Sequence, residues 1–320
     1  MATIAEPDTK LLLDVGTGGY GSRSADAAAE MAADRREEFS DALLDHGALL
    51  FRGFAIDSID AFIRFVKAFS GTDRLFDYAG GASPRDALGD GSYSSTEYPA
   101  HLGLPLHNEL SYADRYPSRL FFCCLAEPAS GGETTLGDSR RILAHVDPQV
   151  VDAFRRRGLR YVRNLSAAAG SGYSWQDALE THDPQVAEQR CRAIGADFRW
   201  GEGGMLHMSQ LRPATAVHPE TGDEVWFNQA DGFHPSVLEP ETYAALVAEC
   251  GGEDRLRLGV THGDGGPIDV EALEHVRKVL RAETVPHAWR GGDILVIDNL
   301  LAAHGRLPFT GPRKIALAMT

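Results

Sequence analysis

The sequence predicts a mainly β domain with flanking helices, and three observations carry that reading. Apolar runs are short and bounded by turn residues, as in Ala48–Phe51, Leu120–Leu125 and Asp293–Asp298, which is the pattern of buried strands. Between them lie longer stretches whose apolar residues follow the helical period. Two fragments resembling halves of one metal site, His107-Asn108-Glu109 and His304, stand 197 residues apart. Strands from both ends of the chain must therefore lie side by side, which predicts a single domain over 1–320.

The elements follow in order. Residues 1–22 are glycine-rich near their end and predict an arm, and 24–45, rich in Ala, Glu, Asp and Arg, predict a helix stopped by Gly47. Ala48–Phe51 predicts a buried strand. Asp57 or Ser58 caps a helix whose apolar face is Ile59, Phe62, Ile63, Val66 and Phe69, and Gly71 ends it. Residues 77–104, full of Gly, Ser, Asp and Pro, predict a long loop of the kind that serves as a lid. Leu120–Leu125 and Glu133–Leu136 predict strands around a Gly131-Gly132 turn, and Asp147-Pro148 opens a helix with its cap and first-turn proline in order. Residues 165–210 mix Gly, Ser and aromatic residues and predict an insertion or second lid. Val225–Phe227 predicts a strand, 239–250 and 269–282 helices, Asp293–Asp298 a strand, and Arg313–Met319 the last strand.

Composition limits the function. The 320 residues are 43 % hydrophobic, ordinary for a globular protein. A net charge of −15 with no basic patch argues against nucleic acid as a partner. The four cysteines form no CxxC, and adjacent Cys123 and Cys124 would point to opposite faces of a strand, so reduced buried thiols are expected. Met1–Lys10 has no apolar core, and no apolar run approaches the roughly 18 residues that cross a membrane. The expected location is the cytoplasm.

The chemistry sits in the paired fragments. Two imidazoles and one carboxylate can bind non-haem Fe(II) on one face and leave the other open. His107 and Glu109, two apart, would point the same way on an extended strand. They interrupt an apolar context, Leu104-Pro-Leu106 before and Leu110-Ser-Tyr112 after, and a buried carboxylate there needs a partner such as a metal. Arg313, nine residues past His304, could return beside it and grip a carboxylate through two parallel hydrogen bonds. Thr134 could add a hydroxyl to the same carboxylate. Taken singly, each has an ordinary structural explanation; the combination is what signifies.

In this order the pieces resemble the taurine dioxygenase family of Fe(II)/2-oxoglutarate-dependent oxygenases, in the branch of the syringomycin aspartate hydroxylase and the clavaminate synthase-like enzymes. The resemblance rests on His46–Phe54, Ser95–Pro99, Leu104–Tyr112, Gly131–Thr134, Val225–Gln229 and the run from Gly292 to Lys314. It implies a double-stranded β-helix (jelly-roll, cupin-like) core, iron held by His107, Glu109 and His304, and the far carboxylate of 2-oxoglutarate held by Thr134 and Arg313, with Lys314 as the alternative to Arg313. Two departures from the pattern matter. Glu109 stands where taurine dioxygenase has aspartate, and halogenating members lack that carboxylate altogether. Some relatives carry a further arginine four positions past the 2-oxoglutarate arginine; here it is Leu317, so a substrate carboxylate must be met elsewhere.

For the substrate, Arg212 is a candidate for pairing with a carboxylate and Glu97 and Tyr98 for meeting an amine. Tyr112 and Phe233 could wall the pocket, and Asn228 and Gln229 could hydrogen-bond near the cofactor. His207, His234 and His262 are left unassigned. The resulting expectation is a dioxygenase using Fe(II), 2-oxoglutarate and O2 to hydroxylate an amino acid, free or tethered to a carrier protein, in specialised metabolism, with release of succinate and CO2. Sulfonate or phosphonate oxygenation, desaturation and cyclisation are the alternatives within the family. A non-catalytic jelly-roll sensor is the rival from another class. No H-E-x-x-H helix supports a zinc hydrolase. The sequence does not specify the oligomeric state.

Overall fold

A computed structural model describes residues 10–17, 19–76, 78, 87–89, 91–94, 98–167 and 174–320. Two sheets face each other. The larger runs Leu12–Gly16, Ala48–Phe51, Ile294–Asp298, Arg119–Ala126, Lys314–Met319, Ser92–Ser94, Ala87–Gly89. The smaller runs Val285–His287, Thr134–Asp138, Ala302–Arg306, Leu104–His107. All pairings in them are antiparallel except that of Leu12–Gly16 with Ala48–Phe51. The chain passes repeatedly from one sheet to the other: Leu104–His107 is in the smaller, Arg119–Ala126 in the larger, Thr134–Asp138 in the smaller again. Ile294–Asp298, Ala302–Arg306 and Lys314–Met319 repeat that crossing near the C-terminus. This is the jelly roll expected of the sequence.

The period-two alternation of the strands divides the core into two layers. Leu120, Phe122 and Cys124, with Leu295, Ile297, Ile315, Leu317 and Met319, fill the space between the sheets with Leu106 and Leu136 of the smaller one. Phe121 and Cys123, with Ile294, Val296, Ala316 and Ala318, face outward against helices. Both cysteines are free, and burial pushes the Cys124 thiol up to about 12, so it stays protonated. The helices Ala25–Asp34, Arg36–His46 and Ile59–Ser70 cover the outer face. The Ser24 and Ser58 hydroxyls accept from the backbone N–H groups of Ala27 and Ala61, and Gly47 and Gly71 close the second and third helices with left-handed backbone, φ 92° and 68°.

Three expectations change. The stretch expected as one helix over 24–45 breaks at Arg35, whose ψ of 26° is non-helical; the second segment buries Phe39 and Leu43 in the layer of Phe51, Phe65 and Phe69. The arm expected over 1–22 contains a strand, Leu12–Gly16, that extends the larger sheet; its side chains are half-buried or exposed, so it lacks the continuous apolar run of a central strand. The loop expected over 77–104 carries the hairpin Ala87–Gly89 and Ser92–Ser94 at the other edge of that sheet.

The described residues of the 165–210 stretch build regular structure. Leu159–Leu165, Leu206–Arg212, Asp197–Trp200 and Leu258–His262 form a third, antiparallel sheet. Trp175–Leu179 and Pro184–Ala193 pack with it around Trp175, Leu179, Cys191, Leu206 and Met208.

Phe51 touches Phe39 and Phe65 edge-on, each with ring centroids 5.0 Å apart. Phe51→Ala opens a cavity in a layer remote from the histidines, and is expected to cost about 3–5 kcal/mol. Urea unfolding should register that loss while Fe(II) affinity of the folded protein stays unchanged.

Candidate active site

The site begins with strand pairing. Leu104–His107 and Ala302–Arg306 run antiparallel with His107 opposite His304, which brings the two rings to 4.4 Å between centroids. Gly305, next along, lets the strands close: a Cβ there would strike the carbonyl of Leu104 and lie 2.7 Å from Thr135 Oγ1. His107 Nδ1 lies 2.9 Å from the Pro105 carbonyl, so that nitrogen carries the proton and Nε2 presents the electron pair. The ring of His304 packs 5.3 Å from that of Phe122 on the opposing sheet.

Glu109 reaches the histidines by a route the sequence did not suggest. The strand ends at His107, and Glu109 lies in the turn beyond it, before Leu110 with its left-handed φ of 55°. Asn299, fully buried, fixes that turn. The Glu109 N–H donates to Asn299 Oδ1 at 2.7 Å, and Asn299 Nδ2 donates to the carbonyls of Glu109 at 3.0 Å and Pro117 at 2.9 Å. Asn108 Nδ2 answers by donating to the Asn299 carbonyl at 2.7 Å. Glu109 Oε2 then sits 3.7 Å from His304 Nε2, and one ligand atom from each of His107, Glu109 and His304 lies within 4.8 Å of the others. Glu109 and His304 are 3 % and 5 % exposed. A buried carboxylate with two imidazoles at this spacing suits a divalent first-row metal held on one face.

Beside this cage lies a cationic corner. Thr134 is opposite Arg306 on one neighbouring strand and His287 on the other, and its hydroxyl accepts from the Trp289 indole N–H at 3.0 Å. Arg313 Nε donates to the Gly132 carbonyl at 3.1 Å. The guanidiniums of Arg306 and Arg313 both stand over the Phe309 ring, at 4.8 and 5.6 Å. Arg306 is committed to the carbonyls of Tyr98, Pro99 and Leu102. Burial, and then the charge of Arg306, lower the Arg313 guanidinium to about 10, the signature of a desolvated cation. Lys314 is exposed. Of the two neighbours, Arg313 faces inward.

A cavity of about 420 Å³ opens over His107 and Glu109. Tyr98, 41 % exposed, and buried Tyr112 and Phe233 line it. Arg212 does not: Asp114 pairs with both of its terminal nitrogens, and the residue lines a separate surface cleft with Arg156 and Arg157. Asn228 does not line it either, because Nδ2 donates to the Ala214 carbonyl and Oδ1 accepts from the Ala230 N–H. Its neighbour Gln229 does, with Nε2 donating to the Asn108 carbonyl at 2.9 Å. Glu97 lies outside the described residues. His207 and His234 line a different cleft, of about 700 Å³, and His262 packs on Phe154.

Sequence reasoning missed Asn299, Trp289, Asp231 and Arg257. Asp231 and Arg257 both line the cavity. Asp231 is 6 % exposed, and burial raises its carboxyl to about 6. The pair Asp298-Asn299 closes an apolar strand, a visible signal, but nothing in it says which backbone the carboxamide will hold.

Residues 11–320 match the family described as taurine catabolism dioxygenase TauD, TfdA family. The chain belongs to the TauD/TfdA family. It is similar to the dapdiamide synthesis protein DdaC of Enterobacter agglomerans, 35 % identical over 87 % of this chain and 83 % of that one. It is similar also to a clavaminate synthase-like protein of Arabidopsis thaliana, 33 % identical over 89 % and 84 %. Among solved structures, PvcB, an Fe, alpha-ketoglutarate dependent oxygenase from an isonitrile synthetic pathway, shares the fold at a TM-score of 0.52 and 17 % identity, over 96 % of this chain and 84 % of that one. As a TauD/TfdA enzyme the protein is a dioxygenase that uses Fe(II), 2-oxoglutarate and O2. No described helix is long and apolar enough to cross a membrane.

Asn299→Ala deprives the Glu109 turn of its anchor and leaves the buried N–H and carbonyl of Glu109 without their partners. Fe(II) affinity, measured by anaerobic titration, is expected to fall about 10- to 100-fold.

Proposed function

We propose that this enzyme oxidises, by hydroxylation, an unactivated C–H bond of an amino acid, free or carrier-tethered, in specialised metabolism, with release of succinate and CO2. The observation that carries the reading is the pairing of His107 with His304, which gathers three ligand atoms within 4.8 Å beneath a cavity of about 420 Å³, the size of a small metabolite. The likeness to a dapdiamide synthesis protein and to a clavaminate synthase-like protein supports the metabolic setting. The passage of the terminal strands through both facing sheets supports one domain over 1–320. We assign the enzyme to the cytoplasm.

The residues divide the work. His107, Glu109 and His304 hold iron. Arg313 and Thr134 hold the far carboxylate of 2-oxoglutarate: the buried guanidinium calls for an anion, and Trp289 occupies an acceptor position of the Thr134 oxygen, leaving its proton available to donate. When bound, iron and 2-oxoglutarate supply dioxygen activation and the electrons for it, with decarboxylation to succinate. The walls around Tyr112 and Phe233 exclude water and fix which carbon faces the metal. Glu109 occupies the position that halogenating members leave open, so hydroxylation rather than chlorination follows.

Anaerobic addition of Fe(II) and then 2-oxoglutarate should produce a weak visible charge-transfer band. Iron binding without that band would displace the reading in favour of a metal-binding sensor. His107→Ala and His304→Ala are expected to abolish turnover and weaken iron binding; normal turnover in either would refute the ligand assignment. Arg313→Ala should raise the 2-oxoglutarate concentration needed for half-maximal rate far more than that of the substrate being oxidised.

A further inference from the structure

The cavity above the metal cage carries two charged groups that the reading so far leaves unused. Asp231 lies in the short helix Ala230–Phe233, two residues after the Gln229 whose amide holds the Asn108 carbonyl. Its carboxylate receives the backbone N–H groups of Asp231 and Gly232, and among the described residues no side chain donates to it. Arg277 stands behind and its charge favours the ionised carboxylate, but its terminal nitrogens donate to the backbone carbonyl of Asp231, to Ser236 and to Glu274 rather than to the carboxylate. A carboxylate this deeply buried calls for a cationic donor, and the side from which one can arrive is the cavity. Arg257 enters the same cavity from another element, just before the strand Leu258–His262. Its carbonyl accepts from the Asn164 N–H at 2.9 Å, which fixes the backbone while the side chain is exposed. Tyr112 and Phe233, with ring centroids 5.0 Å apart, complete the wall.

We propose that Asp231 and Arg257 form the receptor for the head group of a free α-amino acid, Asp231 taking the ammonium and Arg257 the carboxylate, with the side chain directed toward the metal. The assignment rests on the amino-acid reading above and narrows it, because a carboxylate esterified to a carrier has no charge to give Arg257. It also replaces Arg212, the carboxylate partner suggested by sequence: Arg212 pairs with Asp114 and lines another cleft, whereas Arg257 lines this cavity. The raised carboxyl of Asp231, near 6, is consistent with a group waiting for a positive partner.

The test follows the charge-transfer band of the anaerobic Fe(II)·2-oxoglutarate enzyme as proteinogenic L-amino acids, 2,3-diaminopropionate, their N-acetyl derivatives, their α-carboxamides, amine-free diacids and taurine are titrated in. Some free amino acid should perturb the band, and its N-acetyl derivative and its α-carboxamide should each bind on the order of 10- to 100-fold more weakly, the range of a charge-assisted hydrogen bond. Asp231→Asn should weaken the free amino acid by that factor and leave the binding of its N-acetyl derivative unchanged. Arg257→Gln, which removes an exposed side chain and does not threaten folding, should weaken the free acid and not the carboxamide. Equal binding of the N-acetyl derivative, or an unaltered affinity in Asp231→Asn, overturns the head-group receptor while the amino-acid reading stands. Equal binding of the carboxamide overturns the Arg257 half and points to tethered substrates. A response to the diacids or taurine but to no amino acid overturns both.

Discussion

The pairing of His304 against His107 is the constraint on which the rest of the architecture depends. A metal cage requires donor atoms within a few ångströms, and these two come from positions 197 residues apart. Antiparallel hydrogen bonding achieves that placement without help from the metal, because opposite residues on neighbouring strands are necessarily close. The pairing needs Gly305, whose missing side chain lets the Leu104 carbonyl approach. It also needs the larger sheet behind it, where Ile294–Asp298 lies between Ala48–Phe51 and Arg119–Ala126 and so fixes where the next strand begins. The aromatic layer outside that sheet stabilises the fold as a whole, Phe51 packing on Phe39 and Phe65.

Around the cage the protein buries charge of both signs and keeps them apart. Glu109 lies in the candidate cage with His107 and His304, Arg313 and Arg306 at the cationic corner, Asp231 in the cavity wall. Each loses hydration that water would have supplied. Arg306 recovers it from backbone carbonyls, and the turn carrying Glu109 is braced by two carboxamides. Burial lowers the guanidiniums of Arg306 and Arg313 and raises the carboxyl of Asp231. Of these groups, Glu109 and Asp231 line the cavity into which a small molecule fits.

How much of this was legible in the sequence depended on the kind of interaction. Central strands were legible because burial on both faces leaves continuous apolar runs, as in Leu120–Leu125. Edge strands were not: Leu12–Gly16 and the hairpin at 87–94 are partly exposed and read as arm and loop. The metal-site residues His107, Glu109 and His304 could be picked out by type and order, but the geometry of Glu109 could not, since its turn depends on Asn299, 190 residues away. Substrate contacts were the least legible. An arginine in sequence carries no mark of where its side chain will lie, and so Arg212, which the fold pairs with Asp114 in a separate cleft, looked eligible.

The third sheet has a further meaning. The cage is built from the two facing sheets, where a change of register or volume disturbs several strands together. The wall of the cavity proposed to receive the reactant is supplied largely from elsewhere: Arg257 and Leu258 come from the edge of the appended sheet, and Asp231 and Phe233 from a one-turn helix. On the proposed reading, oxidising power and molecular selectivity lie on separate parts of the chain. A lineage can exchange one reactant for another by altering the annex, while the machinery that handles oxygen passes down intact.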